Sequence, residues 1–225
     1  MVRRVSHGIS LATFSAELLL LVGFSALPAR AEPSAWSARP LSVAEQRRMT
    51  PSVWRPGCPV DLSDIRRVTV EHWTYTGKST SGRIDVHHDV ADAVVAVFRE
   101  LYEAKFPINK MVPIEAYRGS DDRSIDDDNT SAFNCRPITG GKKFSQHSYG
   151  TAIDLNPYRN PYVNNGKVRA RPGIGIYVSR DPTVAKTGVI YAGGPVVSAF
   201  EKHGFKWGGY WDNPKDYQHF STSGG

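Results

Sequence analysis

The chain has 225 residues, a length that accommodates one well-cored domain and a short additional segment. Its 28 Lys and Arg residues against 22 Asp and Glu residues give a net charge of +6 at pH 7. This modest excess would favour an anionic surface, but the basic residues do not cluster into a stripe with interleaved aromatic residues, so we expect no nucleic-acid partner.

The N-terminus has the three parts of an export signal. Arg3 and Arg4 precede an apolar stretch, and residues 29–31 (Ala-Arg-Ala) have the small-x-small pattern of a cleavage site. Residues 1–31 are therefore predicted to be a signal peptide. Glu17 shortens the apolar run below the ~20 residues that a spanning helix needs, which disfavours the alternative of an uncleaved anchor. We expect a secreted or cell-wall protein, monomeric and without a stable membrane anchor after cleavage.

Both cysteines, Cys58 and Cys135, fall in the part predicted to be exported, where thiols commonly oxidise. We predict a disulfide between them. Two free buried thiols are the alternative, because two lone cysteines do not form a paired-cysteine metal site.

Next in chain order comes a segment with many prolines and no sustained period, residues 32–57, which is predicted to be a linker or a segment that wraps the domain. Apolar and polar residues alternate over residues 66–75, which indicates a strand. Residues 77–82 supply a turn, and residues 83–87 a returning strand of the hairpin.

The apolar positions of residues 90–102 share one helical face, with Asp89 as the expected N-cap. This amphipathic helix should cover one face of the sheet, and residues 111–117 are predicted to form a short strand. Residues 119–143 are predicted to be a long loop.

Residues 174–178 are predicted to form a strand or extended segment, and a helix is predicted from Pro195 to about Lys202. Local hairpins and single helices without βα alternation predict an α+β fold with a small antiparallel sheet and flanking helices. Residues 58–221 are the predicted domain.

Two short motifs contain the residues best suited to chemistry. His147 and Asp154 stand seven positions apart on either side of Gly150, and Asp216 stands three positions before His219. Nitrogen and oxygen donors of this kind suit Zn²⁺, and a catalytic zinc site needs three protein ligands. His72, His87 and His88 have no carboxylate at an obvious metal spacing and are predicted to be structural.

The pattern Ser-x-His-x-x-Gly-x-Ala-x-Asp from Ser145 to Asp154, followed by an acidic residue three positions before a histidine, resembles the zinc D-alanyl-D-alanine carboxypeptidase family. This family of cell-wall peptidases includes endolysin-like enzymes. The resemblance covers roughly residues 58–220 and implies the zinc D,D-peptidase (hedgehog-like) fold. It also implies a peptidoglycan peptide substrate and Zn²⁺ as the cofactor.

The resemblance also implies roles for single residues. His147, Asp154 and His219 would be the metal ligands, and Asp216 would be the base that accepts a proton from the attacking water. Ser145 and Trp211 would lie near the ligands or the substrate. Two arginines compete for the donor that the negatively charged transition state needs: Arg118, which matches the family's Tyr-Arg pair, and Arg136, which could instead bind a substrate carboxylate.

Three functions stay open at this point. The first is a D-alanyl-D-alanine carboxypeptidase, and the second is a peptidoglycan endopeptidase of the L-Ala-D-Glu type. The third is a zinc-containing module that binds the cell wall without turnover. The sequence lacks the Ser-x-x-Lys and Gly-x-Ser-x-Gly patterns of serine acyl-enzyme hydrolases, and it lacks the His-Glu-x-x-His motif of the common metalloprotease helix.

Overall fold

The computed structural model describes residues 1–2, 35–138, 140–168, 171 and 173–224. Residues 1–32 and 33–225 form two separate units, and the description below concerns the second. The predicted signal peptide lies outside the described residues except for Met1 and Val2. Among the described residues, no helix combines the length and the apolar character that crossing a membrane requires.

A three-stranded antiparallel sheet forms the first half of the unit, in the order β1 (Ser37–Pro40), β2 (Ile65–Trp73) and β3 (Ser79–His87). Strands β2 and β3 are the predicted hairpin, which is confirmed. The turn is tighter than predicted, because β3 already begins at Ser79. The amide of Gly77, which has a φ of +74°, bonds to Thr74.

Helix α2 (His88–Glu103) packs against this sheet with the predicted apolar face, and Val90, Val94, Val97, Phe98 and Leu101 are all buried. The predicted N-cap is wrong by two residues. His87 is the N-cap and its side chain accepts a hydrogen bond from the Asp89 amide, while Asp89 lies in the first turn. A carboxylate there still favours the helix, because it faces the positive end of the helix dipole.

The second half contains two further small antiparallel sheets and a short helix. One sheet has the order β4 (Ala152–Asp154), β9 (His219–Ser221) and β7 (Lys206–Trp207). The other has the order β6 (Lys167–Val168), β5 (Tyr162–Asn164) and β8 (Lys215–Asp216). Together with α4 (Pro195–Lys202), which is the predicted helix, they confirm the α+β class.

One continuous core joins the two halves. Phe200 of α4 stacks on Phe220 of β9 with ring centroids 3.9 Å apart, and it meets Phe98 of α2 edge-on at 6.4 Å. Ile153 of β4 is fully buried in the same core. The strands β4 and β9 are therefore held by packing on the helices, although each has only three residues.

Two predicted strands are wrong. Residues 111–117 contain a 3₁₀ helix, Ile114–Tyr117, because Pro113 precedes it and the Val112 amide bonds to the Asn129 side chain instead of a neighbouring strand. Residues 174–178 also contain a 3₁₀ helix, Ile174–Tyr177, which starts from the left-handed Gly173. The predicted loop 119–143 includes one helix, α3 (Asp121–Asp126), capped by Ser120.

The described part of the proline-rich segment, residues 35–57, packs against the rest of the unit. It contains β1 and α1 (Val43–Met49), whose N-terminus has a capping box between Ser42 and Glu45. Leu41, Met49 and Val53 of this segment belong to a second buried cluster that includes Cys135. The predicted Cys58–Cys135 disulfide is confirmed, with Cα atoms 6.0 Å apart.

A buried arginine links this segment to the first sheet. Arg67 of β2 is 1 % exposed. It donates two hydrogen bonds of 2.8 Å to Asp85 of β3 and one of 2.7 Å to Glu45 of α1. Glu115 lies 3.4 Å from the same guanidinium. Three acidic side chains from three segments thus share one buried positive charge.

Replacing Arg67 should therefore destabilise the whole unit. Arg67→Met leaves the buried carboxylate of Asp85 without its partner, while Glu45 keeps its ion pair with Arg39. We therefore expect the free energy of unfolding to fall by about 3–5 kcal/mol. Denaturant unfolding measures the change. The control is Arg83→Met, since Arg83 is exposed on the adjacent strand β3, and it should change the stability by at most ~0.5 kcal/mol. Equal effects of the two substitutions would contradict the role of the buried network.

Candidate metal centre

His147 is held by a tight turn of backbone. It lies in a 3₁₀ helix, Gln146–Tyr149, whose N-cap Ser145 accepts a hydrogen bond from the His147 amide through its side chain. The helix ends at Gly150, which has a φ of +69°. A Cβ at Gly150 would lie 2.7 Å from the His87 amide nitrogen, so only glycine permits this close approach to the first sheet.

Asp154 and His219 are placed by sheet register. Strand β4 pairs with β9 in antiparallel fashion, and Asp154 lies directly opposite His219. Side chains of directly opposed residues point to the same face of a sheet. On its other side, the backbone of Asp154 exchanges two hydrogen bonds with Ser131, of 2.9 and 3.0 Å. The carboxylate is therefore fixed from both directions.

These two elements bring the three predicted ligands together. Asp154 Oδ1 lies 3.2 Å from His147 Nε2 and 3.1 Å from His219 Nδ1. The imidazole rings have centroids 5.2 Å apart and planes inclined at 68°. All three residues are buried, and one donor atom from each lies within 4.8 Å of the others.

The hydrogen bonds of the trio leave atoms suited to a metal ion. His147 Nδ1 lies 2.7 Å from the Ala132 carbonyl oxygen, which can only accept, so Nδ1 holds a proton and Nε2 is the nitrogen that faces Asp154 and could bind a metal. A histidine ligand is commonly oriented in this way by a carbonyl. Burial alone would raise the pKa of Asp154, but the two adjacent imidazoles outweigh it and hold the pKa well below its usual range. Asp154 is therefore ionised, as a ligand must be.

Asp216 lies beside the trio in a different state. The residue as a whole is partly buried, but its Oδ1 is shielded from solvent and has no hydrogen-bond partner among the described residues. Burial raises the pKa of Asp216 to about 7, and the Asp154 carboxylate acts in the same direction, while His219 and Arg136 oppose it. A carboxyl group with such a pKa can exchange a proton near neutral pH.

Arg136 is the basic residue of the site, and its position is fixed at both ends. Its backbone amide and carbonyl both bond to the hydroxyl of Ser148, at 2.9 and 2.7 Å. Its guanidinium forms an ion pair with Asp121, whose other oxygen accepts a hydrogen bond of 2.8 Å from the buried Asn134. The guanidinium is thus held at the cavity wall and not free to swing.

A cavity of about 430 Å³ contains all these groups. The trio, Asp216 and Arg136 line it, together with Ser145 and Trp211. Trp211 also stands against His219, with ring centroids 5.4 Å apart. The apolar part of the wall is formed by Ile125, Pro157, Pro161, Val168, Ile174 and Pro214, and polar side chains that include Asp122, Gln146 and Arg171 also line the cavity. The cavity thus combines apolar walls with polar groups, which is the usual composition of a ligand site.

Arg118 does not belong to this cavity, contrary to one of the two sequence hypotheses. It is exposed, lies in a left-handed conformation with a φ of +52°, and borders a separate depression together with Arg48 and Arg83. The resemblance at the Tyr117-Arg118 pair did not specify where the turn at Gly119 directs the side chain. Of the two candidate arginines, the structure brings only Arg136 to the site.

Sequence reasoning missed three residues of the cavity region. Asp121 was part of an undifferentiated polar loop, and only the fold shows that it pairs with Arg136. Gln218 lines the cavity between Asp216 and His219, and its place inside the second motif was the available signal. Gly208 lies behind the same motif, where a Cβ would stand 2.7 Å from the Asp216 carbonyl oxygen and 3.3 Å from the His219 Cβ.

The prediction that His87 and His88 have no carboxylate at a metal spacing is wrong, because Asp89 lies within reach of both rings. Both rings place a nitrogen close to Asp89, at 3.3 and 3.0 Å. This second group is largely exposed, and Asp89 retains 69 % of its side-chain exposure. His87 Nδ1 already accepts the Asp89 amide as a helix cap. The buried trio is therefore the better-organised metal site.

A buried His-Asp-His group could hold a metal ion, and the neighbouring Asp216, with its raised pKa, could take a proton from water. Residues 139–222 match the family model described as D-alanyl-D-alanine carboxypeptidase. The matched residues contain the whole trio and Asp216, and the predicted resemblance to this peptidase family is confirmed over them. Comparisons with curated proteins and with solved structures find no match.

The close contact at Gly208 gives a testable prediction. Gly208→Ala would force the Asp216 backbone and His219 apart, so we expect a metal affinity at least ~10-fold lower, as for other changes that shift metal ligands. Equilibrium titration with Zn²⁺ measures this affinity. Gly175→Ala is the matched control, since its Cβ would meet nothing within 4 Å. Unchanged affinity in Gly208→Ala would show that this contact does not position the ligand.

Proposed function

We propose that this protein is a secreted zinc peptidase that hydrolyses an amide bond in the peptide stems of peptidoglycan, with removal of a terminal D-alanine as the first candidate. The observation that supports this most is the convergence of His147, Asp154 and His219 beside the unpartnered Oδ1 of Asp216. A closed structural zinc site would have a fourth protein ligand. Among the described residues, only these three form the buried metal-binding group.

The trio would hold the zinc ion through Nε2 of His147, the Asp154 carboxylate and Nδ1 of His219. When bound, zinc would supply Lewis-acid activation of water and of the scissile carbonyl group. Two neighbouring residues would position the histidine ligands. Ser145 fixes the turn that presents His147, and Trp211 packs against His219 at the cavity wall.

Asp216 would move the proton. Its Oδ1 accepts a proton from the attacking water as the water oxygen adds to the scissile carbonyl carbon. The same carboxyl then donates the proton to the amide nitrogen as the C–N bond breaks. A pKa near 7 suits both steps, because the group must accept and release a proton within one turnover.

Arg136 would supply the positive charge. Direct addition of water places negative charge on the carbonyl oxygen, and a fixed donor at that position stabilises it. The ion pair with Asp121 orients the guanidinium before substrate binds, and the hydroxyl of Ser148 fixes the Arg136 backbone. The alternative role is to bind the terminal carboxylate of a carboxypeptidase substrate.

The other parts of the proposal rest on the sequence and the family. Residues 1–31 would be removed on export, residues 32–57 would wrap the catalytic domain 58–221, and this domain would have the hedgehog-like fold. The protein would act as a monomer on peptidoglycan. An endopeptidase of the L-Ala-D-Glu type and a non-catalytic cell-wall-binding module are the alternatives.

The direct test is incubation of the purified protein with defined stem peptides, followed by mass spectrometry. We expect loss of one terminal D-alanine. Treatment with a chelator should abolish the reaction and added Zn²⁺ should restore it, because the ion activates both reactants. Cleavage inside the stem would identify an endopeptidase instead. Binding without cleavage of any peptide would favour the non-catalytic module.

Asp216→Asn should separate metal binding from catalysis. The variant removes the proton acceptor but none of the three proposed ligands, so we expect normal zinc content and a rate about 10²–10⁴-fold lower. Metal analysis and a hydrolysis assay measure the two effects. Asp212→Asn is the control, since Asp212 is an exposed residue of the segment just before β8. A rate near that of the wild type would remove Asp216 from the mechanism.

A comparison of Arg136→Ala with Arg118→Ala should identify the donor. We expect Arg136→Ala to lower kcat/KM by about 10²–10³-fold, and Arg118→Ala to change it little because Arg118 lies outside the cavity. A loss confined to kcat would indicate stabilisation of the transition state, whereas a rise in KM would indicate binding of a substrate carboxylate. A larger effect of Arg118→Ala would contradict this assignment.

A further inference from the structure

Among the described Asn and Gln side chains that are buried, that of Gln218 differs from the others because its oxygen is shielded from solvent without a hydrogen bond. The residue is 7 % exposed and lines the cavity between Asp216 and His219. Its Oε1 is shielded from solvent and has no hydrogen-bond partner among the described residues. By contrast, the side chains of the buried asparagines, Asn129, Asn134, Asn156 and Asn160, all form hydrogen bonds.

The backbone explains why Gln218 does not turn elsewhere. Its carbonyl oxygen accepts a hydrogen bond of 3.0 Å from the Leu155 amide, next to Asp154. Its own amide bonds to the Asp216 carboxylate. These two bonds fix the residue between the proposed base and the proposed ligands. Gln218 therefore has a fixed backbone position at the cavity wall, and a rotation of its side chain would bring Oε1 to a bound ligand.

An acceptor without a partner in such a place is costly unless a ligand satisfies it. Burying an unpaired polar group lowers stability, and native proteins pair nearly all such atoms. Asp216 Oδ1 is the other unpaired acceptor of this cavity, and the proposed mechanism gives it a proton to accept. The mechanism gives Gln218 no role.

We propose that Gln218 is a substrate-binding residue whose Oε1 accepts a hydrogen bond from an N–H group of the bound peptide, close to the bond that is cut. This inference rests on the proposed peptidase function and adds a specificity to it. A site with a buried acceptor selects substrates that offer a donor, because an analogue without the donor leaves the acceptor unpaired. The substrate class is thus a peptide with an intact amide N–H next to the scissile bond.

The test pairs a protein variant with altered substrates. Gln218→Met keeps the length of the side chain and removes its hydrogen-bonding atoms. The substrates are the parent stem peptide and a set of analogues in which one non-scissile amide at a time is replaced by an ester. With the parent peptide, we expect kcat/KM of Gln218→Met to be about tenfold lower, the value of one hydrogen bond.

One analogue should cancel this difference. Where the ester removes the contacted N–H, kcat/KM of the wild type should fall about tenfold, whereas kcat/KM of Gln218→Met should fall little further. Such non-additivity is the signature of a direct contact in a double-mutant cycle. A uniform loss across all analogues would indicate a merely structural residue and overturn the proposal. Wild-type kcat/KM in Gln218→Met with the parent peptide would overturn it as well.

Gln146→Met is the matched control. Gln146 also lines the cavity and also directly precedes a histidine of the trio, but its Oε1 already accepts a hydrogen bond from Thr151 at 3.4 Å. We expect it to lose less activity than Gln218→Met and to show no dependence on the position of the ester. The same ester dependence in both variants would contradict a specific role for Gln218.

Calorimetric binding separates this inference from the proposed function. Should the wild type bind stem peptides without cleaving them, the peptidase proposal fails, and the same cycle measured in Kd decides the role of Gln218. Should the wild type bind none of the peptides, the Gln218 proposal fails too. Should the wild type cleave the peptides, the double-mutant cycle measured in kcat/KM decides the role of Gln218.

Discussion

The pairing of strand β4 with strand β9 is the constraint on which the site depends. The two strands are three residues long, yet their register places Asp154 opposite His219 although 64 residues separate them in the chain. A slip of one residue would turn Asp154 to the opposite face, since side chains alternate along a strand. The residues next to Asp154 and His219 secure the register, because Ile153 and Phe220 pair with each other and are fully buried. The hydrophobic core therefore specifies the geometry of the polar site.

The walls of the cavity are built from segments that the chain brings from far apart. Arg136 follows Cys135, which the disulfide joins to Cys58, and Arg55 donates a hydrogen bond of 2.9 Å to the Cys135 carbonyl. Asn134 bonds through its amide to the His147 carbonyl and through its side chain to Asp121. Residues 35–57 and the disulfide thus support the loop that presents Arg136. This support is of the kind that precise sites need, because a charged side chain in a loop is otherwise free to move.

The sequence revealed the parts of the site that local structure determines. His147 and Asp154 flank one glycine turn, and Asp216 and His219 share another short segment, so fixed spacings identified them. The choice between Arg118 and Arg136 depended on tertiary contacts, which no spacing records. The same limit applies to the fold: the helix at residues 90–102 was recognisable from its periodicity, whereas the strand predicted at residues 111–117 failed because Asn129, a residue distant in sequence, takes the hydrogen bond of Val112.

Two carboxyl groups of the same cavity show how environment divides their roles. Asp154 lies between two imidazoles that outweigh burial, so its pKa is depressed and the group stays negative. Asp216 experiences the same burial together with the negative charge of Asp154, so its pKa rises to about 7. Shifts in opposite directions would suit Asp154 to binding a cation and Asp216 to exchanging a proton, as the proposed function requires. The assignment is a consequence of position, because exchanging the two environments would exchange the roles of chemically identical side chains.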